Sequence, residues 1–155
     1  MNDKANDKAN EGSNDRSNKR SNDKIENGKS KFDWVTRRSS CSLPKVFAAL
    51  RQQVEEDVKT RNGLRPSNAP YEFSLTEDTA AFTVHLKAKE VERSVTFSLD
   101  EHAIQVRDND KNGTMFQVTL TFNEHGECTL LANEEEREFW QVRRMALEDL
   151  MFRQE

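Results

Sequence analysis

Asp108, Asp110 and Asn112, spaced two apart and followed by Gly113, match the opening of a calcium-binding loop, D-x-D-x-N-G. Such a loop closes on a bidentate Glu at its twelfth position, and here that position is Thr119. The flanking segments read as strands, so a turn rich in Asp, Asn and Gly explains the same letters. His85, His102 and His125 fall on different strands and turns, and neither a zinc set nor a His-based triad can be assembled from their spacing. Cys41 stands just before a predicted helix N-terminus, where the dipole lowers a thiol pKa, but no general base accompanies it. Cys128 has the phase of a core residue and reads as a small hydrophobe. The two cysteines lie far apart and in no metal spacing, so a reduced pair is expected. The acidic runs Glu55-Glu56-Asp57 and Glu134 to Glu138 read as solvated faces, and with five Gly in the chain there is no glycine-rich phosphate loop. No catalytic residue, cofactor or metal is assigned, and a non-enzyme is expected.

The elements that would carry any site are plain in the pattern. Ser42 is an N-cap with Pro44 in the first turn. Leu43, Phe47, Leu50, Val54 and Val58 then recur at helical spacing, and Asn62-Gly63 suggests a left-handed cap. From Tyr71 the period changes to two. Six strands are expected, around Tyr71–Leu75, Phe82–Leu86, Val95–Leu99, Ile104–Val106, Phe116–Phe122 and Cys128–Leu130. Turns at Asp78-Thr79 and Asp100-Glu101 would set Leu75 against Phe82 and Leu99 against His102. Loops at Asn109–Gly113 and Asn123–Glu127 would set Val106 against Phe116 and Phe122 against Cys128. The alternate face, with Ser74, Thr83, His85, Thr96, Gln105, Gln117 and Thr121, is short-chained and polar. The last helix is expected from Asn133 as N-cap with Glu136 completing a capping box. The fold class is therefore α+β: an N-terminal helix, a six-stranded antiparallel meander and a C-terminal helix, both helices on one face.

Organisation follows from composition. Asn recurs every fourth residue from Asn2 to Asn22, with no apolar side chain larger than Ala between Asn2 and Lys24. Residues 1–31 are expected as a disordered low-complexity tail and residues 32–155 as a single domain. The tail holds eight basic and six acidic residues, the remainder 16 and 22, so the domain carries −6 of the net −4. An acidic domain is a poor match to a phosphate polyanion, which argues against nucleic acid. No apolar leader and no spanning segment is seen, and a cytoplasmic location is expected.

The order helix, antiparallel meander, helix is similar to that of frataxin-like folds, and the acidic first helix (Glu55, Glu56, Asp57) would by that resemblance imply iron handling. Both Trp residues lie outside the strands, unlike that family's sheet motif. Leu130-Leu131-Ala132-Asn133-Glu134-Glu135-Glu136-Arg137-Glu138-Phe139-Trp140 looks like the last strand and closing helix of pleckstrin-homology domains. The chain departs from them in its helix before the first strand and its lack of a basic first hairpin. That resemblance implies a peptide- or protein-binding scaffold rather than a phosphoinositide site.

The C-terminal helix carries the functional expectation. Phe139, Trp140, Val142, Met145, Ala146, Leu147, Leu150, Met151 and Phe152 cover an arc of roughly 240°, where a helix lying on a core needs little more than 100°. Either the helix sits in the cup of a curved sheet or part of the arc is a contact surface. The leading expectation is a non-catalytic protein-interaction or regulatory module, homodimeric through this helix in one form, with Trp140, Leu147, Met151 and Arg143 at the contact. The alternative is a small apolar ligand bound between curved sheet and helices, lined by Phe97, Ile104, Phe116, Leu120 and Phe139.

Overall fold

The computed structural model describes residues 31–153. The expected disordered tail lies, except for its last residue, outside the described residues. The described residues fall into two units that divide between Thr36 and Arg37. Asp33 caps the start of a short helix, α1 (Trp34–Ser40): its carboxylate accepts from the Thr36 backbone N–H at 3.1 Å and hydroxyl at 2.6 Å.

The second unit contains α2 (Leu43–Gly63), seven strands and α3 (Phe139–Phe152). The strands are β1 (Tyr71–Asp78), β2 (Ala81–Ala88), β3 (Glu92–Leu99), β4 (Ile104–Asp108), β5 (Gly113–Phe122), β6 (Cys128–Ala132) and β7 (Glu135–Arg137). They pair in chain order as one antiparallel meander. The α+β arrangement holds, with helices against the sheet and one strand more than expected. Alternation accounts for the layering. Val84, Leu86, Val95, Phe97, Ile104, Val106 and Val118 are buried, and Leu50, Val54, Val142 and Leu150 close over them from the helices. Phe82 stacks on its cross-strand partner Phe97 with ring centres 4.6 Å apart. The opposite face is a polar lattice in which Thr83 bonds Thr96 at 2.9 Å, and Asn109 donates to Ser94 and Thr96 at 2.8 and 2.9 Å.

The seventh strand corrects the expected start of the last helix. Asn133 and Glu134 both have positive φ, 54° and 70°, and form a two-residue turn from β6 into β7, not the cap and first turn of a helix. The helix starts later, at Glu138, whose side chain accepts from the Gln141 backbone while the Gln141 side chain accepts from the Glu138 N–H. Two hairpins are also displaced from expectation, each by two residues. Leu75 pairs with Val84 across a Thr79-Ala80 turn, and Leu99 pairs with Ile104. The second shift has a local cause: the Asp100 carboxylate accepts from the His102 and Ala103 N–H groups and stabilises a four-residue loop. Those bonds hold the Asp100 carboxyl below its usual range. A two-residue displacement keeps every side chain on its face, so the buried set is unchanged. Val106 pairs with Phe116 and Phe122 with Cys128 as expected.

The cysteines are not a reduced pair. Cys41 and Cys128 form a disulfide across 87 residues, joining the α1–α2 connection to the start of β6. Cys128 keeps the phase of Leu130 and Ala132, but it is exposed at the margin of the helix-facing side rather than buried as core. It meets Cys41 there, and neither sulfur is a free nucleophile.

Asn62 does different work from the left-handed cap expected of Asn62-Gly63. Helix α2 runs to Gly63, and the capping Leu64 has ordinary right-handed backbone angles. The Asn62 amide donates to the Phe73 carbonyl at 2.8 Å and accepts from the Phe73 N–H at 2.9 Å. Arg65 donates to the Tyr71 carbonyl at 2.7 Å. Side chains at and just beyond the end of α2 thus occupy the outer edge of β1, which would otherwise template pairing with another chain. Asn62→Ala is expected to destabilise by about 1–2 kcal/mol in urea unfolding and to raise concentration-dependent aggregation. An unchanged midpoint without aggregation would show that the Asn62 pair adds nothing.

Candidate functional site

Helices α2 and α3 lie side by side on the sheet and are joined by two arginine rungs. Arg143, from α3, donates to Asp57 and Gln53 of α2, both at 2.6 Å. Arg61, from α2, reaches the other way and donates to the Met151 carbonyl at 2.8 Å, satisfying one of the orphan acceptors at the C-terminal end of α3. Arg61 is buried, 3% exposed, with its guanidinium over the rings of Phe152, Phe73 and Tyr71 at 4.8, 5.3 and 5.7 Å. Val46, Leu50, Val54 and Val58 form the buried stripe of α2, and Arg61 continues it by one turn.

Between the rungs runs an open groove of about 400 Å³. Its floor is Leu147 and Met151, both nearly fully buried. Its walls carry Trp140, Phe152 and Leu64, exposed at 51%, 51% and 69%. The wide apolar arc of α3 is therefore divided. Val142, Ala146 and Leu150 join the core, Leu147 and Met151 lie under the groove, and Trp140 and Phe152 remain in solvent. The Trp140 indole N–H donates to the Glu138 carboxylate at 3.1 Å, which fixes the ring at the mouth of the groove.

The four residues expected at a contact thus share one groove in unequal roles. Trp140 presents surface, Leu147 and Met151 support it, and Arg143 spends its donors within the chain. The residues expected to line a ligand pocket are dispersed. Phe97 and Ile104 have no exposed surface and Phe116 is buried in the same core. Leu120 and Phe139 are half-buried at its margin, and Phe139 borders a different groove, beside β6 and β7. Leu64 and Phe152, two of the most exposed apolar side chains, were not expected at the site. The position of Leu64 just past a helix end was the available signal.

The other candidate chemistries are absorbed locally. Arg93 occupies the Asp-rich turn: its guanidinium lies 3.7 Å from Asp108, 3.5 Å from Asp110 and 3.0 Å from Asp149 of α3. Partial burial works against the Arg93 charge, and the Asp149, Asp108 and Asp110 carboxylates outweigh it and raise its pKa. The Arg93 hydrogen bond in turn holds Asp149 below the usual carboxylate range. On α2, Glu55 pairs with Arg51 and Asp57 with Arg143, so the acidic run implied for iron is partly neutralised. Among the described residues no group of three or more His, Cys, Asp or Glu side chains could hold a metal ion. His85 bonds Thr76, His102 lies near Glu101, and the three histidines remain apart. Among the described residues no helix is long and apolar enough to cross a membrane.

Compared with protein families, curated proteins and solved structures, the chain matches none.

Proposed function

We propose that this protein is a non-catalytic interaction module that binds a protein partner at the groove between α2 and α3. One observation carries the reading: Trp140, Leu64 and Phe152 stand exposed around a floor of Leu147 and Met151, in walls held by Arg143 and Arg61. Half-exposed aromatic residues over a rigid apolar base have the composition of an interface hot spot. The groove is open and shallow-walled, which suits a protein side chain or helix better than an enclosed small molecule. A small apolar ligand is the second reading, favoured by the groove's volume. The acidic balance of residues 32–155 argues against nucleic acid. The Cys41–Cys128 bond, where a reduced pair was expected, favours an oxidising compartment over a cytoplasmic one.

Trp140→Ala is expected to weaken recovery of the associated protein by at least tenfold, while shifting the thermal midpoint of the full chain by no more than a few degrees. Both are read on one preparation, by native mass spectrometry and calorimetry. A large fall in the midpoint would make Trp140 a structural residue. Undiminished association would place the contact elsewhere.

A further inference from the structure

On the solvent side of α3 every fourth residue is exposed: Trp140, Arg144, Glu148 and Phe152. Residues four apart form a ridge along a helix. This one runs between the groove toward α2 and a second depression, of about 640 Å³, on its other side. A ridge between two grooves is the relief that helices interlock when they pack on each other.

The chemistry along the ridge reads aromatic, cation, anion, aromatic. Trp140 and Phe152 are equidistant from Ala146, and so are Arg144 and Glu148. Turned end for end about that midpoint, the ridge meets itself with Trp140 opposite Phe152 of the second copy and Arg144 opposite Glu148 of the second copy. A parallel arrangement would instead set Arg144 against Arg144. Arg144 and Glu148 already pair within the helix at 2.8 Å, and the two-fold contact extends that pair into a four-charge network. An isologous interface requires a patch that is complementary to itself, as this ridge is.

We propose that the partner at this site is a second copy of the chain, docked with the two α3 helices antiparallel about a two-fold axis at the middle of the exposed ridge, between Arg144 and Glu148. This rests on the interaction reading above and names its occupant. A helix of 14 residues is about 21 Å long. A contact along a single helix of that length belongs to the small end of specific interfaces, where weak and transient association is typical, so a dimer in the micromolar range is expected.

Charge reversal tests the pairing. In sedimentation velocity on the full chain, wild type is expected to self-associate in the micromolar range. Arg144→Glu and Glu148→Arg each place two like-charge pairs across the axis and are expected to weaken the dimer roughly tenfold. An equimolar mixture of the two variants restores complementarity at every position and is expected to return to wild-type association as a mixed dimer. A wild type monomeric throughout that range, single reversals without effect, or a mixture that fails to recover would each overturn the inference. If wild type is monomeric while Trp140→Ala still abolishes recovery of a co-purifying protein, the partner is a different chain: self-pairing falls and the interaction site stands. If Trp140→Ala also changes nothing, both fall.

Discussion

Cys41→Ser together with Cys128→Ser is expected to lower unfolding stability by about 2–5 kcal/mol, toward the upper end of that range. The bond closes a segment of 87 residues that contains α2 and all the strands before β6. In the chain-entropy account a loop of that length contributes about 4.5 kcal/mol by restricting the unfolded chain. For a domain of this size the corresponding fall in thermal midpoint is roughly 10–20 °C. Urea unfolding of the oxidised protein, the reduced protein and the double variant measures it, with the latter two expected to coincide. Reduction that leaves the midpoint in place would show that the α1–α2 connection is held by packing alone. The site should survive the loss of the bond wherever the domain remains folded, because the arginine rungs between α2 and α3 do not involve the bonded cysteines.

Arg93→Ala is expected to cost about 3 kcal/mol, the second large effect. Its guanidinium gathers carboxylates from three places: Asp108 at the end of β4, Asp110 in the following turn and Asp149 on α3. Asp108 is only 3% exposed, and removal of the cation leaves a buried carboxylate without its counter-charge. Adding Asp108→Asn to Arg93→Ala removes that charge, and the double variant is expected to recover part of the loss. Non-additivity in that cycle is the signature of the pair; strict additivity would show that Arg93 acts through packing. The network also gives a pH dependence. With Arg93 donating to it, the folded Asp149 carboxyl has a pKa below that of the unfolded chain, near 3.9. Its contribution is therefore complete above about pH 4 and is lost as pH falls through the lower folded value. Stability of wild type measured from pH 5 downward should fall more steeply than that of Arg93→Ala.

The parts of the fold carried by alternation could be read directly, because a strand with one buried face writes that face into every second residue. Val84, Leu86, Val95, Phe97, Ile104 and Val106 are core both in the pattern and in the fold. Alternation has period two, however, and cannot separate Leu75 against Phe82 from Leu75 against Val84. The Asx turn at Asp100 decides the same point for the β3–β4 hairpin through side-chain oxygens that periodicity ignores. The seventh strand was hidden for a related reason. A turn needing two positive φ values usually advertises Gly, and here Asn133-Glu134 supplies it with a residue that also opens helices. Glu138 and Gln141, three apart before an apolar run, were the better start signal.

At the site, the legible part was the excess width of the apolar arc on α3. How that excess divides between core, groove floor and solvent depends on where α2 lies, and no property of α3 encodes this. Arg61 shows the limit well. As a cation in the last turn of α2 it reads as a solvated partner of its own helix dipole, yet it is buried and serves the dipole of α3. The Cys41–Cys128 bond was illegible because 87 residues of intervening chain give no spacing to read.

The most direct test of the central claim, that the α2–α3 groove takes a protein and not a small molecule, is native mass spectrometry of the full chain purified gently from expressing cells. The account predicts an assembly holding at least two protein chains and no apolar adduct, reduced to bare monomer by Trp140→Ala. A wild-type monomer carrying a defined small-molecule mass that Trp140→Ala removes would contradict it and assign the groove to a ligand.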